Sequence, residues 1–221
     1  MAPNKHLCDK LVMAFSGEED SAVPGGIFVS STELDSHANM VVVGKQAFVF
    51  SHSGQYANVQ AFSDEVKALP EVPIVDAVIA YDCPSSGETF LLVVRNALCV
   101  PSMDINLIPP FIMREAGLVL STTPKIHCDE PTVADHSIFD EDSGLRIPLT
   151  LNGIFSAFST RSLNEDETEN AGEYQTVFLT PDSNVWNPYD ESYKKNEDSN
   201  LDNRGRMVLP STPTQHCLVR D

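Results

Sequence analysis

Short β-branched and aromatic runs separated by turn residues fill the chain from Ile27 to Thr160, and nothing else restricts its fold as much. The runs are Ile27-Phe28-Val29, Met40 to Val43, Ala47 to Phe50, Val72 to Tyr81, Phe90 to Val94 and Ala97 to Val100. Runs of this length and side-chain type are those of strands, so the spacing predicts a mainly β domain over residues 27–160. With 221 residues, 42% of them hydrophobic, the chain can bury one substantial core. Pro24-Gly25-Gly26 divides that domain from a mixed polar stretch, residues 1–26, which reads as a leader or linker.

One helix is predicted, in the segment from Asn106 to Gly117. Pro109 and Pro110 suit a first turn, where missing amide hydrogens cost nothing, and Gly117 suits the position past the last turn. Ser137-Ile138-Phe139 and Leu145 to Leu149 flank the turn Asp142-Ser143-Gly144, and Gly153 precedes Ile154 to Phe158, which together read as a β-meander. Ser51-His52-Ser53-Gly54 reads as a turn. Beyond Thr160, Asn164 to Glu173 and Asp182 to Asn203 are acidic and rich in asparagine. The expectation there is an acidic, largely disordered tail over residues 161–221, because so few apolar side chains cannot offset the ordering entropy.

Fourteen Lys and Arg against 32 Asp and Glu give a formal net charge of -18. A surface that acidic repels phosphate backbones, which argues against direct nucleic-acid binding. No stretch approaches the ~18 consecutive apolar residues of a membrane span, so the expectation is a soluble, intracellular, cytoplasmic protein without membrane contact. Cys8, Cys83, Cys99, Cys128 and Cys217 are widely spaced and odd in number, which favours free thiols over a disulfide framework or a zinc site. His127-Cys128 and His216-Cys217 are adjacent pairs, whose side chains point to opposite faces of an extended chain. No metal or other cofactor is expected. A nucleophilic pair of Cys99 with His127 has no spacing signal in its favour.

Leu34-Asp35-Ser36-His37-Ala38 followed by Met40-Val41-Val42-Val43 and Gly44 puts a carboxylate and a hydroxyl on a tight turn that an apolar strand anchors. This segment resembles the Asp-Ser/Thr-Gly-Ala signature of retropepsins, in the version carried by copia-type retrotransposon polyproteins of algal and diatom-like elements. The order of other segments is similar to the same family: Asn96 to Pro101 followed by Asn106-Leu107-Ile108 and the helix before Gly117, Val72 to Phe90 in the middle, and Ile147-Pro148-Leu149 through Trp186-Asn187-Pro188 beyond. The likeness runs from about Thr32 to Pro188. It implies a retropepsin-like closed β-barrel with one short helix, and an aspartic endopeptidase that processes a polyprotein. His37 stands where the family usually has glycine; a histidine held at positive φ there costs on the order of 1 kcal/mol.

The implied chemistry needs two carboxylates sharing one proton, the ionised one taking a proton from water while the other hydrogen-bonds the scissile carbonyl. Asp142-Ser143-Gly144 matches the triplet, but Asp140 and Glu141 precede it and no apolar strand delivers it to a core; ordinary turn chemistry accounts for it. The second carboxylate is therefore expected from a second copy of the chain, with Asp35 of each subunit meeting across a two-fold axis. By resemblance, Asp35 and Ser36 are catalytic, and His37 and Ala38 lie beside the bound peptide or polyprotein substrate. The hairpin from Tyr81 to Thr89, with Ser85, Ser86 and Gly87 near its tip, is the candidate flap. The alternative is a catalytically inactive retropepsin-like domain kept for dimerisation or peptide binding.

Overall fold

The computed structural model describes residues 29–60, 67–182, 189–199, 201–206 and 208. Within them the chain is mainly β, as the runs predict. Strands β1 (Val29–Leu34), β2 (Val42–Val43), β3 (Phe48–Val59), β4 (Leu69–Asp82), β5 (Thr89–Cys99) and β6 (Asn106–Ile108) lead into helix α1 (Pro110–Glu115). Then follow β7 (Val119–Ser121), β8 (Ser137–Phe139), β9 (Arg146–Pro148), β10 (Thr150–Asn152), β11 (Phe155–Arg161), α2 (Glu165–Glu169) and β12 (Gln175–Phe178). The segment 1–26 lies outside the described residues.

The larger sheet has the order β10-β11-β1-β6-β2-β5-β4-β3; β12 lies along β5, and β11 also meets β4 through the single pair Arg161↔Ala80. β7, β8 and β9 make a second, three-stranded sheet. β4 and β5 carry the long apolar runs, and Ala77, Ile79, Leu92 and Val94 are fully buried. Both faces of these strands are covered, which is why their sequence is continuously apolar instead of alternating. Ser51 to Gly54 lies within β3 and not in a separate turn: Gly54 takes φ +73°, and the register with β4 slips between His52 and Tyr56. The turn signal is a bulge.

β6 is threaded between β1 and β2, parallel to the first (Leu34↔Ile108) and antiparallel to the second (Val42↔Leu107). Residues 106–108 therefore depart from the helix expected over 106–117. Ile108 precedes Pro109 and Pro109 precedes Pro110, and a residue before proline is driven to extended backbone. Pro109 has φ -65° and ψ 127°, the helix begins at Pro110, and Gly117 ends it at φ +91°.

Asn106 fixes the threaded strand. It is fully buried; its Nδ2 donates to Thr32 Oγ1 at 3.1 Å and its Oδ1 accepts from the Gly44 amide at 2.9 Å. Thr32 Oγ1 lies in turn 2.9 Å from Thr160 Oγ1 on β11. A Cβ on Gly44 would meet Met103 O at 2.5 Å and Ile105 O at 2.7 Å, so only glycine lets the amide come this close. Asn106→Leu strands the Gly44 amide and leaves the Thr32 hydroxyl with Thr160 alone, and a loss of roughly 1–3 kcal/mol is expected, read as a lower urea midpoint with unchanged slope.

The boundary at residue 160 and the single helix also need correcting. β11 runs to Arg161, β12 adds to β5 in parallel (Val177↔Leu92), and Val177, Leu179 and Thr180 are buried. α2 is held by a capping box in which Asn164 Oδ1 accepts from the Glu167 amide at 2.8 Å and Glu167 Oε2 accepts from the Asn164 amide at 2.9 Å. An Asn-x-x-Glu start and one Val-Phe-Leu run are enough to order this stretch in spite of its charge. The first compact unit extends to Asn184. In the second, α3 (Glu191–Ser199) carries an exposed Glu191–Lys195 pair at 3.4 Å. The far C-terminal part of the expected tail, including His216 and Cys217, lies outside the described residues.

Candidate functional site

Asp35 follows the last residue of β1, and its amide donates to Ile108 O at 3.1 Å, so the parallel pairing with β6 carries on into the turn. Its Oδ1 accepts from the His37 amide at 2.8 Å, an Asx turn that fixes the carboxylate. Its Oδ2 is buried without a hydrogen-bond partner. An acceptor of that kind is expensive to keep in a folded chain and calls for an explanation. Among the described residues no lysine or arginine makes an ion pair with Asp35.

Ser36 and His37 are exposed and Ala38 is buried at 6% exposure. Ser36 Oγ lies 3.5 Å from His37 Nδ1, a long contact. His37 does not take positive φ; outside glycine, only Glu71, Asn96 and His136 do so among the described residues. The histidine thus sits in the turn without the backbone strain its position suggests.

Glu33, two residues before Asp35, is a carboxyl that inspection of the sequence passes over. It is 6% exposed, and its Oε1 accepts from Asn152 Nδ2 of β10 at 3.1 Å. Burial pushes its carboxyl above the usual range; the Asn152 bond opposes this, and the negative charge of Asp35 adds to it. No hydrogen bond joins the two carboxyls. A folded-state pKa above the unfolded one means that the native chain holds more protons, so the contribution of Glu33 to stability falls as pH rises through that raised value. Glu33→Gln keeps the acceptor for Asn152 and removes the buried charge. Its melting temperature is expected to exceed that of the wild type at pH 7, by roughly 2–4 °C for each kcal/mol relieved, with the gap closing near pH 4.

No family model, curated protein or solved structure matches this chain.

The turn between β4 and β5 is bound to other residues. Cys83 N donates to Glu88 O, Gly87 N donates to Cys83 O, and Gly87 takes φ +74°. Ser85 Oγ lies 3.1 Å from the Cys83 sulfur, and Ser86 Oγ accepts from the Glu88 amide at 3.2 Å, so both hydroxyls serve the turn itself. Burial pushes the Cys83 thiol up, but side-chain and backbone hydrogen bonds from Ser85 and Ser86 outweigh it and bring the thiol down to about 7. At the base of the turn, Asp82 is held by Arg161, whose backbone faces Val29 at the start of β1. Asp35 follows the other end of that strand. No hydrogen bond or ion pair joins Ser85, Ser86 or Gly87 to the Asp35 turn among the described residues.

What the structure does bring beside Asp35 is the β10–β11 hairpin. β1 and β11 pair antiparallel as far as Glu33↔Ala157, two residues before Asp35. Asp142-Ser143-Gly144 lies in the exposed β8–β9 turn, where Ser143 donates to Asp140 Oδ2. Cys99, whose thiol burial pushes up, and His127, in a short 3-10 turn, share no hydrogen bond. The described residues contain no group of three or more His, Cys, Asp or Glu able to hold a metal ion, and no helix long and apolar enough to cross a membrane.

Proposed function

We propose that this chain is a retropepsin-like aspartic endopeptidase of the copia retrotransposon type, in which two copies bring their Asp35 carboxylates together to cleave a peptide or polyprotein. The observation that carries the reading is the state of that carboxylate: one oxygen fixed by its own turn, the other buried and left without a partner. That oxygen is covered by its own chain, so a second carboxyl sharing a proton with Asp35 satisfies it once the turn shifts to admit it, and like charges at such range cannot both ionise. The ionised member then takes a proton from water as the water attacks the scissile carbonyl, whose oxygen the protonated member hydrogen-bonds.

Three further features support the reading. The Asp35 turn is reachable from solvent through Ser36 and His37. β6 and α1, the Asn-Leu-Ile and Gly117 motifs of the resemblance, follow directly behind it. The pair between β11 and β4 supports closure of the large sheet into the barrel that such a fold requires. The deciding assay is a fluorogenic peptide library scanned from acid to neutral pH against the wild type and Asp35→Asn. Cleavage by the wild type alone is expected, and equal cleavage by both rejects the assignment.

A further inference from the structure

We propose that the β10–β11 hairpin, residues 150–155, is the surface through which a second copy of this chain packs against the first, beside Asp35. The inference rests on the two-subunit reading of Asp35 and names the contact that would assemble it. The hairpin is the immediate neighbour of the site: Thr150↔Ala157 and Asn152↔Phe155 pair within it, Glu33↔Ala157 pairs it to β1, and the Asn152–Glu33 hydrogen bond fastens it two residues from Asp35. A two-fold axis that brings two Asp35 turns together runs next to this hairpin.

Its chemistry fits self-association. A two-fold contact pairs residue i with j and j with i, so a charged side chain on the axis meets its own copy and a patch of one net sign meets the same sign. For a chain of net charge -18, an uncharged contact is close to a requirement. Ile147 to Thr160 contains no Asp, Glu, Lys or Arg, and the hairpin exposes Leu151 (39%), Ile154 (87%) and Phe155 (38%). Ile154 is the most exposed of the three.

The rival surface is β3, which is also uncharged and exposes Phe48, Phe50 and Tyr56 along a sheet edge. Its register with β4 breaks in three places, between Val49 and Ser51, His52 and Tyr56, and Ala57 and Val59. Bulges of this kind protect an edge from pairing with another chain. The hairpin has no such break.

The test is sedimentation velocity on the full chain over a wide concentration range, for the wild type, Ile154→Glu, Ile154→Ser and Phe50→Glu, with circular dichroism melts to confirm folding. The wild type is expected to dimerise. Ile154→Glu, which sets two like charges across the axis, should weaken the dimer by at least about tenfold, Ile154→Ser by less, and Phe50→Glu should leave it intact. Dimerisation that Ile154→Glu leaves unchanged, or that Phe50→Glu disrupts instead, overturns the proposal while leaving the peptidase reading to Asp35→Asn. A wild type that is monomeric at every concentration also overturns it. If that monomer still cleaves peptide in an Asp35-dependent way, the hairpin is a peptide contact, and only the two-subunit part of the functional reading falls with it.

Discussion

Asp35→Asn is expected to slow peptide hydrolysis by at least about 10³-fold while leaving the fold in place. Under the proposed mechanism the substitution removes the general base and its protonated partner at once, since both are the same residue in two copies, and each such group contributes about 10²–10⁴-fold. Asparagine keeps an Oδ1 that can accept from the His37 amide, so the Asx turn survives. The atom that changes, Oδ2, makes no hydrogen bond within its own chain that could be lost. Stability should therefore stay within about 1 kcal/mol of the wild type. Initial rates on a cleaved peptide, together with melting curves, separate the two effects; a large fall in melting temperature would mean that the lost activity reports unfolding.

The largest loss of stability is expected at Arg161. Its guanidinium binds two carboxylates, meeting Asp82 through Nε and Nη2 at 2.7 Å each and Glu167 through Nη1 at 2.7 Å and Nη2 at 2.6 Å. Glu167 has only 2% of its side chain exposed, whereas Asp82 has 57%. Arg161→Met abandons the buried Glu167 charge, and breaking a buried pair from one side costs roughly 3–5 kcal/mol. Adding Glu167→Leu should recover much of the loss, because a packed apolar pair can replace a buried ionic one. Denaturant titrations of the single and double variants measure this; a double variant no more stable than Arg161→Met would remove the buried charge as the cause.

The same pair sets a pH dependence. The hydrogen bonds from Arg161 hold the Glu167 carboxyl below its usual value, more than burial raises it, and they do the same for Asp82. A depressed folded-state pKa means that the contribution is complete above the unfolded value and is lost as pH falls through the folded one. The acid side of the stability curve should therefore drop below about pH 4.5, the ordinary glutamate value. In Arg161→Met that drop should flatten.

The apolar skeleton was legible in the sequence, and the polar strand that carries Asp35 was not. Val72 to Tyr81, Phe90 to Val94 and Ala97 to Val100 became β4 and β5, because side chains covered on both faces leave a continuous apolar run. β1 reads Val-Ser-Ser-Thr-Glu-Leu, and it is a strand because Thr32, Asn106 and Thr160 satisfy one another in the core, which no periodicity records. β6 was concealed by merging with the apolar residues of α1. The stretch after Thr160 is ordered in spite of its charge, with Asn164 and Glu167 at capping-box spacing. At the candidate site, the turn and its buried Ala38 could be found from their motif. The β10–β11 hairpin could not, since it reaches β1 only through pairing across more than a hundred positions, and nothing in the sequence marks Glu33, two residues before Asp35, as buried against Asn152.

That separation governs when the site can come into being during synthesis. The turn that holds Asp35 is braced by Asn106, 74 residues beyond Thr32, and by Thr160, 128 residues beyond it. Contacts so distant along the chain fold slowly, since the loops between them must close first. A ribosome that has just passed Gly44 has made the motif but not its supports. The carboxylate is set in place after β11 emerges, so a nascent chain carries Asp35 unsupported until Arg161 has followed it.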